Sequence, residues 1–279
     1  NLVLSISSGV MHHRMVDRIT ALNGVPGEPL TPRHLGENMC VPFGKILRGK
    51  VVPNTVTKTL HTDKVYEPEL DSYAIEAFPY YSPLESQIKT IRSFDRPVIL
   101  VDDLVHKADR LQALAPSLKK AGIPVKKVVV GVISGYGRDL METFHLPVES
   151  IYSMPNLRQW FVESTLYPFI GGDTVRRRDM KVAGLQPSVN MILPYAAPRL
   201  SGCSREALYE FSVCCIENSR DLLQVLEAEY RSQFARNLTL SRLSEAVILP
   251  LCPDKGSCME YDENLAASVY LENDLEMLG

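Results

Sequence analysis

Short apolar runs alternate with one-sided helical patterns through the first half of the chain. The clearest run, Pro97 to Val101, is rich in β-branched residues and is typical of a central parallel strand covered on both faces. Further buried strands are predicted at Val128–Ile133 and Val148–Tyr152. Helical spacing of apolar positions predicts helices at Val10–Leu22, Pro83–Ile91, Leu111–Lys120 and Arg138–Phe144. This alternation predicts parallel strands joined by right-handed crossovers.

The beginning of the chain is less regular. Leu2–Ile6 is largely apolar and predicts a buried strand, after which Ser7, Ser8 and Gly9 predict a tight loop. Between residues 27 and 60, frequent glycines and prolines favour loops, with one extended strand predicted at Asn54–Leu60. A further strand is predicted at Asp71–Phe78. We assign the segment from about 27 to 95 to a hood beside the core.

The pattern changes after Gly171, Gly172 and Asp173. Residues 204–237 predict one long helix with a single apolar face, beginning at a Ser204 cap. A second helix is predicted from Ser241 to Leu249, ended by Pro250. The predicted organisation is an α/β core over residues 1–195 and a helical C-terminal subdomain over residues 196–279.

Composition and charge narrow the class of protein. The 279 residues are 45% hydrophobic and 23% charged, which is ordinary for a globular protein. A formal net charge of -3 provides no overall basic field, so we expect neither nucleic acid nor an acidic membrane as a partner. No apolar run reaches the roughly 18 to 20 residues that span a bilayer, so the cytoplasm is the expected location. Because Asn1 stands at the edge of an apolar run, an upstream domain is also predicted.

Six cysteines are too few for a disulfide scaffold, and none forms a CxxC pair. We expect reduced thiols. Cys252 and Cys258 flank a short segment with Pro253 and Gly256, which would supply only half of a zinc site. Ordinary thiols are therefore the favoured interpretation over a structural zinc.

The segment from Val98 to Leu111, VILVDDLVHKADRL, resembles the phosphoribosyl-pyrophosphate motif of type I phosphoribosyltransferases. That motif has an apolar strand, two acids, two apolar residues and a loop leading into a helix. The resemblance extends back through LVLSISSGVMHHRMVDRITALNGVP and forward through VVVGVISGYG. It implies a doubly wound, mainly parallel sheet with a hood, whose ligand lies beyond the carboxyl ends of the strands.

The resemblance also implies residue roles. Asp102 and Asp103 would accept hydrogen bonds from the ribose hydroxyls and would contact Mg²⁺, which we expect as the cofactor. Ser7, Ser8 and Gly9 would face the pyrophosphate. The loop before the next helix would bind the 5′-phosphate through backbone N–H groups and the helix dipole. Its residues are His106, Lys107, Ala108, Asp109 and Arg110.

This phosphate loop departs from the family pattern of Thr/Ser, Thr/Ser, Gly, any residue, Thr/Ser. Ala108 occupies the glycine position, which restricts the approach of the backbone to a phosphate. Asp109 would repel a phosphate, whereas Lys107 and Arg110 would attract it through charge-assisted hydrogen bonds. The loop is thus predicted to hold a different phosphate compound, or none.

Three functions remain open from the sequence. The favoured one is binding of phosphoribosyl pyrophosphate or a related sugar phosphate or nucleotide, with transfer of the phosphoribosyl group to a base or amine. The second is a non-catalytic sensing or assembly domain, whose long helix mediates a homodimer or contacts a fused enzyme. The third is a Mg²⁺-dependent hydrolase of a phosphorylated sugar.

Other chemically notable residues have ordinary interpretations that we favour over ligand binding. His12 and His13 are expected on the surface of a helix. Trp160 and Phe161 are expected in the core rather than as a platform for a base. The remaining features are a solvated charge run at Arg176, Arg177 and Arg178, and a strand-to-helix turn at Ser134, Gly135, Tyr136 and Gly137.

Overall fold

A computed structural model describes residues 4–78, 81–176, 186–198, 202–243, 248–250 and 261–279 of the chain. The chain divides into two compact units, Asn1–Asp63 with Ile75–Arg158, and Lys64–Ala74 with Gln159–Gly279. The boundary that we predicted between residues 195 and 196 falls inside the second unit.

The elements follow one another in an alternating order through the first unit and become mainly helical towards the end. In chain order they are α1 (Ser8–Leu22), β1 (Met39–Pro42), β2 (Val56–Thr57), β3 (Thr62–Tyr66), β4 (Tyr73–Ala77), α2 (Leu84–Arg92), β5 (Val98–Val105), α3 (Asp109–Lys120), β6 (Val125–Ser134), α4 (Gly135–Thr143), β7 (Val148–Met154), a 3-10 turn (Glu163–Leu166), β8 (Asp173–Val175), β9 (Gln186–Val189), α5 (Arg205–Phe234), α6 (Leu240–Leu243), β10 (Ile248–Pro250) and α7 (Ala267–Leu278).

The first unit is built on a five-stranded sheet with the order β2-β1-β5-β6-β7. All of its pairings are parallel. β5 is the middle strand, as the apolar run at Val98 predicts. The strand predicted at Leu2–Ile6 is wrong for residues 4–6, which form no strand, while residues 1–3 lie outside the described part. The first strand of the sheet is instead β1, within the segment that we assigned to loops of the hood.

Helices cover both faces of this sheet. On one face, Met15 and Ile19 of α1 pack in a cluster with Ile99, Val101 and Val129. On the other face, α2, α3 and α4 bury apolar residues against the alternate strand positions, such as Leu100 and Val130. Since successive strand side chains point to opposite faces, two separate cores result, and the doubly wound α/β arrangement is confirmed.

The direction in which the chain crosses the sheet reverses at its centre. From β1 the chain moves outwards to β2, whereas from β5 it moves the opposite way to β6 and β7. Leu47 and Val52, between β1 and β2, pack on the face of α1, while α3 and α4 lie on the other face. The strand order thus reverses between β1 and β5, and in open α/β sheets the ligand crevice lies at the carboxyl ends of the strands beside such a reversal.

Helix α3 begins two residues earlier than predicted, at Asp109, and it continues through Pro116. Pro116 therefore does not interrupt the helix. Gly122 follows the helix end with a positive φ of 65°, a conformation that favours glycine.

A second sheet, which the sequence did not predict, includes β8, β9 and β10 of the second unit. It has the order β10-β9-β8-β3-β4, with β8 and β9 antiparallel. In the same unit, the long helix α5 begins at the predicted Ser204 cap and packs with α7 through residues such as Ile216, Leu223 and Leu271. The helical C-terminal part is thus confirmed. The helix predicted at Ser241–Leu249 is wrong at its end, since Ile248–Pro250 is a strand.

Within the ranges given above, no helix combines the length and the apolar character that crossing a bilayer requires.

Candidate active site

Asp102 and Asp103 lie inside the last half of β5, because the strand continues to Val105 rather than ending before the acids. Asp102 pairs in register with Val130 of β6. The extension is favoured by Leu104 and Val105, which continue the β-rich pattern. Both carboxylates are thereby held on a rigid central strand, close to the crevice.

Asp102 is almost entirely buried, with 4% of its surface exposed. Its Oδ1 accepts hydrogen bonds from the backbone N–H of Asp103 at 2.8 Å and from Nη1 of Arg110 at 3.3 Å. Burial raises the pKa of the Asp102 carboxyl to about 7, opposed by the positive charge of Arg110 and reinforced by the charge of Asp103. Carboxyls whose pKa is raised by burial next to charged partners occur often at functional sites.

Asp103 holds the loop that follows β1. Its Oδ2 accepts from the N–H of Lys45 at 3.0 Å, and its Oδ1 accepts from the N–H of Ile46 at 2.7 Å. Hydrogen bonds to an ionised acceptor are stronger than neutral ones. A carboxylate on β5 therefore fixes the backbone of a loop more than fifty residues earlier in the chain.

Gly44 explains how this loop comes so close. A Cβ added at Gly44 would lie 2.1 Å from Oδ1 of Asp102 and 2.5 Å from Oδ1 of Asp103. No side chain fits there, so only glycine lets the backbone pass against both carboxylates. The sequence argument missed this loop, although an apolar run (Met39–Val41) followed by Phe43 and Gly44 is a recognisable strand-to-glycine-loop pattern.

The loop after β5 turns into α3 at Ala108, which has a left-handed backbone with φ 57° and ψ 25°. Ala108 supplies no side-chain cap to the helix. The first N–H groups of α3 therefore receive no hydrogen bond from the side chain of that residue. Uncapped N–H groups at the start of a helix can bind an anion. Of the predicted phosphate-loop residues, Lys107 and Asp109 are exposed, and Arg110 contacts Asp102.

Arg48 is a second cation beside the acids, and the sequence argument did not identify it. Its Nη2 donates to the carbonyl of Thr62 at 2.7 Å, and its guanidinium carbon lies 5.0 Å from the centre of the Phe78 ring. Burial lowers the pKa of Arg48. The negative charges of Asp63 and Asp103 raise this pKa, and the positive charge of Arg110 lowers it. The two guanidinium groups are therefore electrostatic neighbours of the carboxylates.

His61 lies next to Arg48 and stacks on Tyr81, with ring centroids 3.6 Å apart. Burial lowers the pKa of His61, and the charges of Arg48 and Lys58 lower it further. Nε of Arg48 and Nδ1 of His61 are buried and have no hydrogen-bond partner among the described residues. Such donors and acceptors favour a polar ligand or ordered water.

His106 is oriented from the neighbouring strand. Its Nδ1 lies 2.8 Å from Oγ of Ser134, the last residue of β6. The predicted turn after Ser134 is absent, since α4 starts directly at Gly135. Gly137 is required there because an added Cβ would lie 2.2 Å from the carbonyl oxygen of Val105.

Ser7, Ser8 and Gly9 do not form the predicted loop. Ser7 caps α1 by accepting from the N–H of Val10, and Ser8 and Gly9 belong to the first turn of the helix. Further along α1, Met11 packs against Gly131 of β6. A Cβ added at Gly131 would lie 2.3 Å from Sδ of Met11 and 2.7 Å from the carbonyl oxygen of Asp103. The start of α1 therefore lies towards the same edge of the sheet as the acids.

The remaining candidates lie elsewhere. Trp160 and Phe161 are 50% and 49% exposed, so the expectation that they are core residues is wrong. His13 forms a surface pair with Asp17 at 3.6 Å, whereas Arg176 donates to Glu67 at 3.1 Å. Arg177, Arg178, Cys252 and Cys258 lie outside the described residues. The described thiols are unpaired at Cys40, Cys203, Cys214 and Cys215.

Within the described part of the chain, no three His, Cys, Asp or Glu side chains are grouped so that they could hold a metal ion. Asp102 and Asp103 supply two carboxylates, which is the usual protein contribution to Mg²⁺ when a substrate phosphate completes its shell.

Comparison with known proteins yields matches in structure only. No protein-family model matches the chain, and no curated protein sequence matches it. A crystal structure of the protein TT1426 from Thermus thermophilus aligns with a TM-score of 0.32 at 14% identity, over 55% of this chain and 86% of the other. A purine phosphoribosyltransferase from Pyrococcus horikoshii aligns with a TM-score of 0.31 at 11% identity, over 55% of this chain and 94% of the other.

Proposed function

We propose that the first unit binds a phosphoribosyl compound in the crevice between the loops that follow β1 and β5. One observation carries the proposal: the loop after β1 closes onto Asp103 through the N–H groups of Lys45 and Ile46, at the point where the strand order reverses. In open α/β sheets this is the place where ligands bind. It combines carboxylates for sugar hydroxyls with cations for phosphate.

In this proposal Asp103 provides the direct contact to the ribose. Asp103 uses one hydrogen bond on each carboxylate oxygen for the loop. Because a carboxylate oxygen has two lone pairs, each still has capacity for a ribose hydroxyl. Asp102 contributes mainly through its ion pair with Arg110.

The phosphate groups are placed at the two loops. The 5′-phosphate would lie at the start of α3, near Lys107 and the N–H groups that Ala108 leaves uncapped. The pyrophosphate would face the loop from Gly44 to Arg48. The buried Nε of Arg48 has no hydrogen-bond partner among the described residues. The side chain of Ser7 already caps α1. Ser7, Ser8 and Gly9 therefore remain only a secondary predicted contact to the pyrophosphate.

The proposed reaction is transfer of the phosphoribosyl group to a base or amine. The bond from the anomeric carbon to pyrophosphate breaks, a bond to the acceptor nitrogen forms, and the proton lost from that nitrogen passes to the departing pyrophosphate or to water. When bound, Mg²⁺ would enter with the pyrophosphate, face Asp102 and Asp103, and neutralise charge on the leaving group. The residues of the chain would bind the ribose and orient the two phosphate ends.

A binding experiment tests the site. Isothermal titration with phosphoribosyl pyrophosphate and with ribose 5-phosphate, each with and without Mg²⁺, should give saturable binding. Asp103→Asn and Arg48→Gln should each weaken it about tenfold or more, since each removes a charged partner worth roughly 1.5 to 3 kcal/mol. Asp95→Asn, which changes an exposed surface pair, is the matched control and should bind as the wild type does. Equal affinity in all four proteins would remove the crevice from the proposal.

The contact between Arg110 and Asp102 favours a second candidate, a binding domain without turnover. This ion pair occupies one of the two carboxylates, and the loop after β5 lacks the hydroxyl side chains that the type I pattern provides. Release of pyrophosphate on addition of purine or pyrimidine bases would support transfer. Saturable binding without release would support the sensing function.

A further inference from the structure

Ser134 lies at the junction of β6 and α4 and is 1% exposed. Its Oγ accepts from the N–H of Gly137 at 2.9 Å, which caps α4. The same Oγ lies 2.8 Å from Nδ1 of His106. A helix cap and a ring nitrogen thus share one buried hydroxyl.

The proton count of this arrangement selects one tautomer of His106. A hydroxyl carries a single proton, and Gly137 does not take it because its N–H donates. If Nδ1 of His106 were protonated, Oγ would accept twice, and its own proton would have no acceptor among the described residues. A buried hydroxyl proton without an acceptor is unfavourable, because the group has lost its hydrogen bond to water and gained none in return. The alternative, in which Oγ donates to Nδ1 and accepts from Gly137, satisfies both the hydroxyl and Nδ1.

We propose that Ser134 is a positioning residue that holds His106 in the tautomer with its proton on Nε2. The ring is then presented from the loop after β5 with Nε2–H as a hydrogen-bond donor and with Nδ1 closed to any ligand. Insofar as that donor serves an anion at the start of α3, the inference rests on the proposed function. The tautomer itself does not.

Nitrogen-15 NMR of the full chain measures the tautomer directly, at about pH 8.5 so that imidazoles are neutral. Wild-type protein should show the His106 proton on Nε2 and a hydrogen-bonded Nδ1. In Ser134→Ala the Nδ1 resonance of His106 should move, because the ring loses its hydrogen-bond partner. In Ser134→Thr, which keeps the hydroxyl, this resonance should stay at its wild-type position. Ser134→Asp keeps a helix cap but only accepts, so it should transfer the ring proton to Nδ1.

A matched control separates this effect from the loss of a cap. Ser204→Ala removes an equivalent cap, in which Oγ accepts from the N–H of Ala207 at 3.1 Å, at the start of α5. It should leave the His106 resonances unchanged. A wild-type proton on Nδ1, or His106 resonances that are the same in Ser134→Ala and the wild type, would overturn the proposal.

Titration with ribose 5-phosphate tests the dependence on the site. Ser134→Ala should weaken binding about three- to tenfold, and it should have no further effect in a His106→Ala background, because the serine acts through the ring. An equal loss in both backgrounds would overturn the positioning role. Absence of ribose 5-phosphate binding in the wild type, together with the expected NMR result, would refute the proposed function and leave the tautomer assignment intact.

Discussion

The two loops that border the crevice are built in opposite ways. The loop after β1 is held from outside, by the carboxylate of Asp103, and depends on Gly44 having no side chain. The loop after β5 is held by its own residues: Ala108 starts α3 with a left-handed backbone, and the side chain of His106 contacts Ser134 at the end of β6. The first loop should therefore be intolerant of added atoms, whereas the second should tolerate changes that keep its backbone conformation.

The largest effect is expected for Gly44→Ala. The added methyl would overlap Oδ1 of both acids, so either the loop or β5 must shift. We expect a loss of about 3 kcal/mol or more in the free energy of unfolding, together with loss of ligand binding. Urea unfolding measures the first and calorimetry the second. Gly27→Ala, where the nearest atoms lie 3.8 Å from the added carbon, should be close to neutral. Equal costs at the two positions would show that the close approach at Gly44 is absent.

Asp103→Asn should have the next largest effect. The amide keeps one acceptor oxygen, so one of the two loop N–H groups loses its partner and the other loses a charged one. We expect a loss of about 2 kcal/mol in the free energy of unfolding. Asp95→Asn, on an exposed pair, should change it by less than about 0.5 kcal/mol. If both variants unfold at the same urea concentration, the carboxylate does not hold the loop.

An effect that depends on pH is expected for Asp102→Asn. The folded-state pKa of Asp102 is raised to about 7, above the ordinary value of about 3.9 for the unfolded chain. Between these values the folded state binds a proton that the unfolded state has released, so the contribution of this group to stability falls as the pH rises from about 4 through 7. Asparagine removes this dependence. The variant should gain stability relative to the wild type on going from pH 5 to pH 8 in urea unfolding, and a constant difference would contradict the raised pKa.

The smallest effect is expected for Ala108→Gly. Glycine removes the cost of roughly 1 kcal/mol that a residue with a Cβ pays in the left-handed conformation, which stabilises the folded state. Against this, the variant loses a buried methyl group, and the unfolded chain gains conformational freedom. These contributions offset, so we expect a change within about 0.5 kcal/mol. Ala121→Gly, at a residue with φ of -76°, should instead destabilise by about 1 kcal/mol. Equal losses at both positions would refute the left-handed conformation at Ala108.

The core strands could be predicted from sequence because their patterns are local. The apolar run at Val98 and the repeated valines from Val128 are buried by helices on both faces, and such runs have few alternatives. The long helix α5 was predicted for the same reason, since its apolar stripe and its Ser204 cap lie within one segment.

The features that were missed depend on contacts between distant segments. β1 has only four residues and is buried because β2 and β5 pair with it on either side. Arg48 is next to the acids only because Asp103 holds the preceding loop from a strand more than fifty residues later. In the second unit, β8, β9 and β10 have three or four residues each and form a sheet only through their mutual pairing. Neither spacing nor propensity records such pairings.

The carboxylate of Asp103 also gives two loop amides an unusual property. Loop N–H groups commonly exchange with deuterium quickly, because they open to water with little cost in free energy. Lys45 and Ile46 should instead exchange slowly, since their protons are released only when the loop leaves the strand. The exchange rates of these two amides would therefore report the opening of the crevice in the protein alone, before any ligand has been identified.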